Sequence, residues 1–331
     1  MPTALHPDQV LFQGEKPLPS LPACEHYAGS ERFILKALAL QQQLGPLFDV
    51  SCDCEDGAPA GRELEHARMV AELLNASANQ FGRCGVRIHG PAHPHWRRDL
   101  EVIIDGAGHR IAYVTLPKVQ SAAQAREMIE YLERRARERG LERPIPVHVL
   151  IETHGALQEA FAIAALPAVE ALDFGLLDFV SGHHGAIPAS AMRSPGQFEH
   201  HLIRRAKAEV VAAALAHGRV PAHNVTLELD NAYRVYQDAR RARTEYGFLR
   251  MWSIHPSQIR PIIDAMRPEH GEIETAAEIL LAAQRAEWAP IRHRGELHDR
   301  ASYRYYWCVL RQARATGARF PPEVESWFAA A

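Results

Sequence analysis

Short apolar runs alternate with longer amphipathic segments along the chain from residue 21 onward. Runs of about four to eight mostly apolar residues between turn-forming residues are typical of β-strands. Several of these runs are almost continuously apolar, which indicates parallel strands that are covered on both faces. The predicted strands are Leu21–Tyr27, Leu47–Cys54, Gly85–Ile88, Ile111–Leu116, Val147–Ile151, Val169–Phe174, Asn224–Leu229 and Arg250–Ile254.

The segments between these strands have the period of amphipathic helices. In Gly61–Asn75, for example, Leu64, Val70 and Leu74 line one face while Arg68 lies on the polar face. Similar helices are predicted near residues 31–43, 121–139, 156–165, 198–217 and 232–246. Eight strands with intervening helices favour an α/β fold of the TIM (β/α)8 barrel type over an open sheet.

Two more helical stretches, near residues 271–287 and 300–316, follow the last barrel helix, with a loop Pro290–Leu297 between them. This pattern predicts three parts of the chain. Residues 1–20 form an N-terminal extension, residues 21–266 form the barrel, and residues 267–331 form a short helical extension. We expect the extension to serve as a lid, as an oligomer contact or as both.

Composition narrows the class of protein. The chain has 331 residues, of which 47% are hydrophobic and 23% charged, values close to those of ordinary globular proteins. The formal net charge of −3 argues against nucleic-acid binding, which needs a concentrated positive field. No apolar run reaches membrane-spanning length, and residues 1–22 lack the pattern of a signal peptide. The five cysteines have no metal-ligand spacing, so we expect small buried side chains in a cytoplasmic protein.

Polar residues collect where the predicted strands end. The active sites of TIM barrels are built from the carboxyl ends of the strands and the loops that follow them. Charged side chains at seven of the eight predicted strand ends therefore indicate one common site. These strand-end residues are Asp53, Glu55, Asp56, Arg87, His89, Lys118, Glu152, His154, Asp178, Glu228, Asp230 and His255.

Several strand-end motifs carry a family resemblance. The motifs are Asp53–Gly57, Val86–His89, Leu116–Val119, Leu150–Thr153, Phe174–Asp178 and Ile254–Gln258. In this order and spacing they resemble those of the HpcH/HpaI aldolase and citrate lyase β-subunit family, closest to its citrate lyase and malyl-CoA lyase branch. The resemblance covers residues 21 to about 300. It implies a Mg²⁺-dependent carbon–carbon lyase that cleaves or forms a 3-hydroxyacyl-CoA or a related small hydroxy acid, working as a homotrimer or homohexamer.

The resemblance also implies roles for particular residues. Glu152 and Asp178 match the two metal-binding carboxylates, and hard oxygen ligands suit Mg²⁺, with Mn²⁺ or another divalent ion as the alternative. Arg87 matches an active-site arginine whose planar guanidinium suits a substrate carboxylate or carbonyl oxygen. Lys118 and Gly175 are expected to bind the substrate together with Arg87.

Further acidic residues complete the expected site. Glu55 and Asp56 match an acidic pair that holds metal-bound water or relays a proton, with Asp53 and His255 in supporting positions. Asp299 falls where related lyases place an aspartate over the site of a neighbouring subunit, although an aspartate before a helix is also a good N-cap.

Some positions depart from the family pattern. The first strand lacks the arginine that contributes to CoA recognition, which favours a free acid substrate over a thioester. Histidines at His89, His183 and His184 would suit a transition metal. Three alternatives therefore stay open: a class II pyruvate-type aldolase acting on a free 4-hydroxy-2-oxo acid, an acyl-CoA thioester hydrolase, and a barrel that binds without catalysis.

Overall fold

A closed barrel of eight parallel strands lies at the centre of the fold. This computed structural model describes residues 5–12, 14 and 17–329. The strands follow one another around the barrel in sequence order, and the eighth pairs with the first. They are β1 Cys24–Ala28, β2 Phe48–Asp53, β3 Cys84–Arg87, β4 Val114–Leu116, β5 Val147–Ile151, β6 Val169–Phe174, β7 Val220–His223 and β8 Arg250–Ser253. The predicted (β/α)8 barrel is confirmed.

Amphipathic helices cover the outside of the barrel. Their apolar faces pack on the strands; the helix Glu63–Asn75, for example, buries Val70 and Leu74. Ser30 and Ser121 cap two of the helices by accepting hydrogen bonds from backbone N–H groups. The helices up to the end of the barrel are α1 Pro7–Leu11, α2 Glu31–Leu44, α3 Glu63–Asn75, α4 Trp96–Ala107, α5 Ala122–Glu138, α6 His154–Gln158, α7 Ala160–Ala164, α8 Leu176–Ser181, α9 Gly196–Glu199, α10 His201–Ala216, α11 Ala232–Arg241 and α12 Pro256–Met266.

The seventh strand differs from its prediction. The prediction placed it at Asn224–Leu229, where apolar and polar residues alternate, but β7 lies four residues earlier at Val220–His223. Pro221 explains the error, because proline cannot donate a ladder hydrogen bond and usually argues against an interior strand. Glu228 and Asp230 therefore lie in the connection to α11 rather than at a strand end. Helix α4 was not predicted.

A second, smaller core lies in the C-terminal part of the chain. Helices α13 His270–Arg285, α14 Arg300–Ala315 and α15 Pro322–Ala329 pack around Trp307 together with α1. The predicted loop is instead a short antiparallel hairpin, β9 Ile291–His293 and β10 Glu296–His298. None of the helices in the described ranges is long and apolar enough to cross a membrane. The division into three parts stays a prediction. Residues 1–4, 13 and 15–16 of its first part and residues 330–331 of its third part lie outside the described residues.

Candidate active site

A cavity of about 450 Å³ opens at the carboxyl ends of the barrel strands. One side of it is polar and carries Asp53, Asp56, Arg87, Glu152 and Asp178. The rest of its lining is mostly apolar and is formed by Tyr27, Phe33, Phe174, Leu176, Leu177, Val225, Trp252, Ile254 and Pro256. The cavity therefore offers a charged reaction surface next to a surface for apolar groups.

Arg87 is held by two carboxylates. Its Nε and Nη2 donate to the two oxygens of Asp53 at 2.8 and 2.6 Å, and its Nη1 lies 3.1 Å from Glu55 Oε2. Burial alone would raise the pKa of Asp53, but Arg87 and the backbone N–H groups of Glu55 and Gly57 hold it below its ordinary value. A guanidinium has five N–H donors, so at least two remain for a substrate oxygen.

Lys118 joins the acidic residues of the site. Its Nζ lies 2.5 Å from Glu55 Oε1 and 2.8 Å from both oxygens of Asp56. Burial would lower the pKa of Lys118, but the hydrogen bonds that it donates to Asp56 and Glu55 raise it above its ordinary value. The amine therefore stays charged at neutral pH, which argues against a nucleophilic Schiff-base role. Burial raises the pKa of Glu55.

The backbone at Lys118 is also unusual. Its φ of 54° lies in the left-handed region, which a residue with a side chain seldom adopts. In this conformation the Lys118 N–H donates to Glu152 Oε1 at 2.7 Å. Such backbone geometry at a cavity is typical of functional sites, and here it fixes one oxygen of Glu152.

Glu152 and Asp178 form the part of the site that suits a metal ion. The Glu152 side chain is buried, and burial together with the nearby Asp178 raises its pKa to about 8. Gly175 leaves the space beside it, because a Cβ at Gly175 would lie only 2.3 Å from Glu152 Oε2. The two carboxylates supply hard oxygen donors, and Glu152 lacks a paired cation among the described side chains. Together with the space that Gly175 leaves beside Glu152, these features suit Mg²⁺.

The structure brings together most of the predicted site residues. Asp53, Asp56, Arg87, Glu152, Gly175, Asp178 and His255 line the cavity. Glu55 and Lys118 are not among the lining residues but pair with two that are, Glu55 with Arg87 and Lys118 with Asp56. His255 is also the N-cap of α12, where its Nδ1 accepts from the Ser257 N–H at 3.3 Å. Asp299 does not line the cavity of its own chain and instead caps α14 through the N–H groups of Ala301 and Ser302.

The loop histidines do not form a metal site with one another. His89 Nδ1 is 2.6 Å from Asp99 Oδ2 and its ring stacks on His93. His183 Nδ1 donates to the Phe179 carbonyl at 2.8 Å. Among the residues that the structure describes, the metal-compatible cluster of three side chains lies elsewhere, inside the barrel at Glu25, His148 and Asp173.

Sequence reasoning missed the aromatic wall of the cavity. Tyr27 stacks on Trp252 with ring centroids 4.4 Å apart, and the Arg87 guanidinium lies 5.1 Å from the Tyr27 ring centre. At the outer end, Phe33 and Lys36 from the first two turns of α2 line the same cavity. Trp252 stands within the predicted eighth strand, Arg250–Ile254, where nothing but its aromatic side chain could have indicated a place in the site.

Comparison with known proteins places this site in context. The HpcH/HpaI aldolase/citrate lyase family profile matches residues 48–256. A crystal structure described as a citrate lyase from Burkholderia xenovorans LB400 is 57% identical, with a TM-score of 0.86 over 98% of this chain and 100% of that chain. An L-malyl-CoA/β-methylmalyl-CoA lyase from Cereibacter sphaeroides is 26% identical over 81% of this chain and 88% of its own length.

A more distant structural neighbour shares the fold. The protein CitE from Mycobacterium tuberculosis, solved with magnesium, acetoacetate and coenzyme A, is 24% identical. Its TM-score is 0.68 over 89% of this chain and 99% of that chain. This likeness concerns the fold alone.

Proposed function

The chain belongs to the HpcH/HpaI aldolase/citrate lyase family, and we propose that it is a Mg²⁺-dependent carbon–carbon lyase acting on a small 3-hydroxyacyl thioester. The family membership expected from the strand-end motifs is thereby confirmed. The observation that carries the proposed reaction is the pair of carboxylates, Glu152 and Asp178, beside the partly engaged Arg87.

Glu152 and Asp178 would hold the metal ion in this proposal. Five carboxylates meet at the site, Asp53, Glu55, Asp56, Glu152 and Asp178, against two cationic side chains, Arg87 and Lys118. This excess of negative charge favours a divalent cation. When bound, Mg²⁺ stabilises the negative charge that develops on the enolate oxygen during cleavage.

Arg87 and Asp53 orient the substrate. The bidentate contact with Asp53 fixes the guanidinium plane, and the remaining N–H groups donate to a substrate carboxylate or carbonyl oxygen. A fixed donor costs little reorganisation when the bond breaks, which is the advantage of a preorganised site.

The acidic residues around Lys118 hold the proton that moves in the reaction. Cleavage requires a base for the substrate hydroxyl and an acid for the carbon of the enolate. Glu55 has a raised pKa, and Lys118 connects it to Asp56 at the cavity surface. A carboxylate with a pKa closer to neutrality is better suited to accept and return a proton.

Lys36 and Phe33 support a thioester rather than a free acid. The missing arginine of the first strand argued against CoA, but an exposed lysine and an exposed aromatic ring line the outer end of the cavity. A lysine binds phosphate and an aromatic ring stacks on a base, so together they suit the nucleotide part of a CoA thioester. The relative from Cereibacter sphaeroides is named for CoA thioester substrates.

The C-terminal extension serves as an oligomer contact in this proposal. Asp299 lies at the start of α14, beside the strongly exposed Leu297, so a neighbouring chain in a trimer or hexamer would receive it over its own cavity. The cytoplasm is the proposed location, because an exposed free thiol such as Cys308 suits a reducing compartment.

A substrate panel tests the proposed substrate class. Purified protein with Mg²⁺ is offered malyl-, citramalyl- and citryl-CoA and free 4-hydroxy-2-oxo acids, and acetyl-CoA, free CoA and 2-oxo acids are measured. We expect turnover of a thioester. Turnover of the free acids alone would establish the pyruvate-type aldolase, and free CoA without a 2-oxo acid would establish a hydrolase.

Lys36 provides a matched pair of variants. Lys36→Ala should raise KM for the thioester about tenfold with little change in kcat, whereas Lys36→Arg should keep most of the affinity. A KM that is unchanged in Lys36→Ala would remove the argument for a phosphate contact at this end of the cavity.

A further inference from the structure

A second cluster of ionisable side chains lies inside the barrel, beneath the catalytic cavity. Glu25 on β1, His148 on β5 and Asp173 on β6 are all fully buried. One ligand atom from each lies within 4.8 Å of the others. Tyr27 and Leu150 come two residues later on the strands of Glu25 and His148, so they belong to the next layer toward the cavity.

Other side chains orient two of these three donors. The Nε2 atom of His148 lies 3.3 Å from Glu170 Oε2, which leaves Nδ1 facing Glu25 Oε2 at 3.4 Å. The Ser51 hydroxyl donates to Glu25 Oε1 at 2.8 Å. A histidine whose second ring nitrogen contacts a carboxylate is the usual arrangement of a metal-binding histidine.

Asp173 supplies an independent indication of a ligand. Both of its carboxylate oxygens are buried, and in the part of the chain that the structure describes neither accepts a hydrogen bond of normal geometry; the Trp252 indole N–H acts on this carboxylate only weakly, as the last of the influences that lower its pKa. Burying an unpartnered carboxylate is costly, so such a group is normally neutralised, paired or bound to a metal. The His148 and Glu25 donors lie where a shared cation would reach all three side chains.

The charges around the cluster do not balance without a further cation. Arg250 pairs with Asp49 at 2.7 Å and with Glu25 at 3.2 Å, and Arg83 lies 3.9 Å from Asp49. Asp173 and Glu170 add two more carboxylates beside His148. Four carboxylates thus face two guanidinium groups. The difference is neutralised either by two protons or by one divalent ion.

We propose that Glu25, His148 and Asp173 bind a divalent transition-metal ion that links β1, β5 and β6 beneath the cavity. One imidazole nitrogen and carboxylate oxygens favour zinc or manganese over magnesium. This inner site is separate from the site at Glu152 and Asp178, and it does not depend on the proposed reaction.

The protonation of the metal-free cluster gives the proposal a second readout. Burial would lower the pKa of His148, but Glu25 and Glu170 raise it to about 9. Burial and the neighbouring Glu25 raise the pKa of Asp173 to about 7. Both shifts favour the protonated forms in the metal-free cluster, and a metal ion bound by the same atoms would displace those protons.

The test counts zinc in a protein whose catalytic metal site is disabled. Glu152→Gln protein is stripped with chelator under mildly denaturing conditions, refolded with Zn²⁺, passed over a desalting column and analysed by inductively coupled plasma mass spectrometry. We expect one zinc ion per chain, no retained zinc when Asp173→Asn is added, and one ion when Thr115→Val is added. Thr115 is the matched control, because it is buried in the barrel and is not one of the three donors.

Two further measurements keep the test decisive. X-ray absorption of the zinc-loaded Glu152→Gln protein should show one nitrogen among oxygen neighbours, and zinc binding near pH 6 in weak buffer should release about two protons per ion. Three results would each contradict the inner metal site: no retained zinc, zinc that is retained after Asp173→Asn, or a zinc coordination shell without nitrogen. The cluster would then be neutralised by protons alone.

Discussion

Gly175→Ala changes the proposed metal site by a single methyl group. The added Cβ would lie 2.3 Å from Glu152 Oε2 and 2.4 Å from Glu152 Cβ, whereas unstrained contacts are about 3.5 Å. The backbone of Gly175 has φ −98°, which alanine adopts freely, so the clash rather than backbone strain sets the effect. Glu152 must therefore move by about 1 Å.

A shift of that size is large for a metal ligand. Metal–ligand distances are held within about 0.2 Å, and a misplacement of about 1 Å in an active site costs about 100-fold in rate. That factor corresponds to about 2.7 kcal/mol of transition-state stabilisation. We expect kcat/KM to fall about 100-fold and the Mg²⁺ concentration for half-maximal activity to rise, as measured by steady-state kinetics over a Mg²⁺ titration.

Gly182→Ala is the matched control. It lies at the end of α8, where a Cβ would meet His154 Nε2 at 3.3 Å, an approach that a small movement relieves. Its kinetics should resemble those of the unchanged protein. If Gly175→Ala kept both its rate and its Mg²⁺ dependence while folding normally, Glu152 would not be a ligand of the metal ion.

Three further predictions concern single side chains. Asp53→Asn breaks the buried pair with Arg87 and should cost about 3–5 kcal/mol in urea denaturation; a loss below about 1 kcal/mol would show that the pair contributes little. In metal-free protein the pKa of Glu152 is about 8, above its value in the unfolded chain. The folded protein therefore keeps this proton to higher pH than the unfolded chain does, and its stability falls as pH rises from about 4.3 to 8. Glu152→Gln should reduce that fall in thermal melts, and an unchanged slope would contradict the assignment. Asp299→Ser keeps the N-cap of α14, whereas Asp299→Ala should lower the free energy of unfolding by about 1 kcal/mol. If Asp299 is a catalytic acid, both variants should lose about 100-fold or more in activity. Full activity in Asp299→Ser would show that Asp299 is a helix cap only.

The barrel and the polar part of the site were predictable because they rest on simple periodicities. Arg87 ends an apolar strand and Glu152 directly follows one, and parallel strands bring their carboxyl ends to the same end of the barrel. What the pattern cannot give is contact geometry. Nothing in the sequence indicates that Asp53 occupies two donors of Arg87, because that contact joins residues on different strands.

The errors have identifiable physical causes. Pro221 concealed the seventh strand, since closure of the barrel by its neighbours outweighs the missing N–H group. The hairpin at residues 291–298 is too short for a recognisable strand pattern. The inner cluster was not predicted because Glu25, His148 and Asp173 lie within runs that have the pattern of buried strands, not at strand ends. Charged residues are rarely fully buried, so their presence in such runs was the signal that could have indicated the cluster.

Product analysis with and without metal tests the central claim most directly. The protein is incubated with its best thioester substrate in EDTA, then with excess Mg²⁺, and the thioester and acid products are quantified against substrate consumed. The account predicts no turnover in EDTA and, with Mg²⁺, one acyl-CoA and one oxo-acid product for each substrate molecule cleaved. Undiminished turnover in EDTA, or free CoA released without an oxo acid, would contradict it.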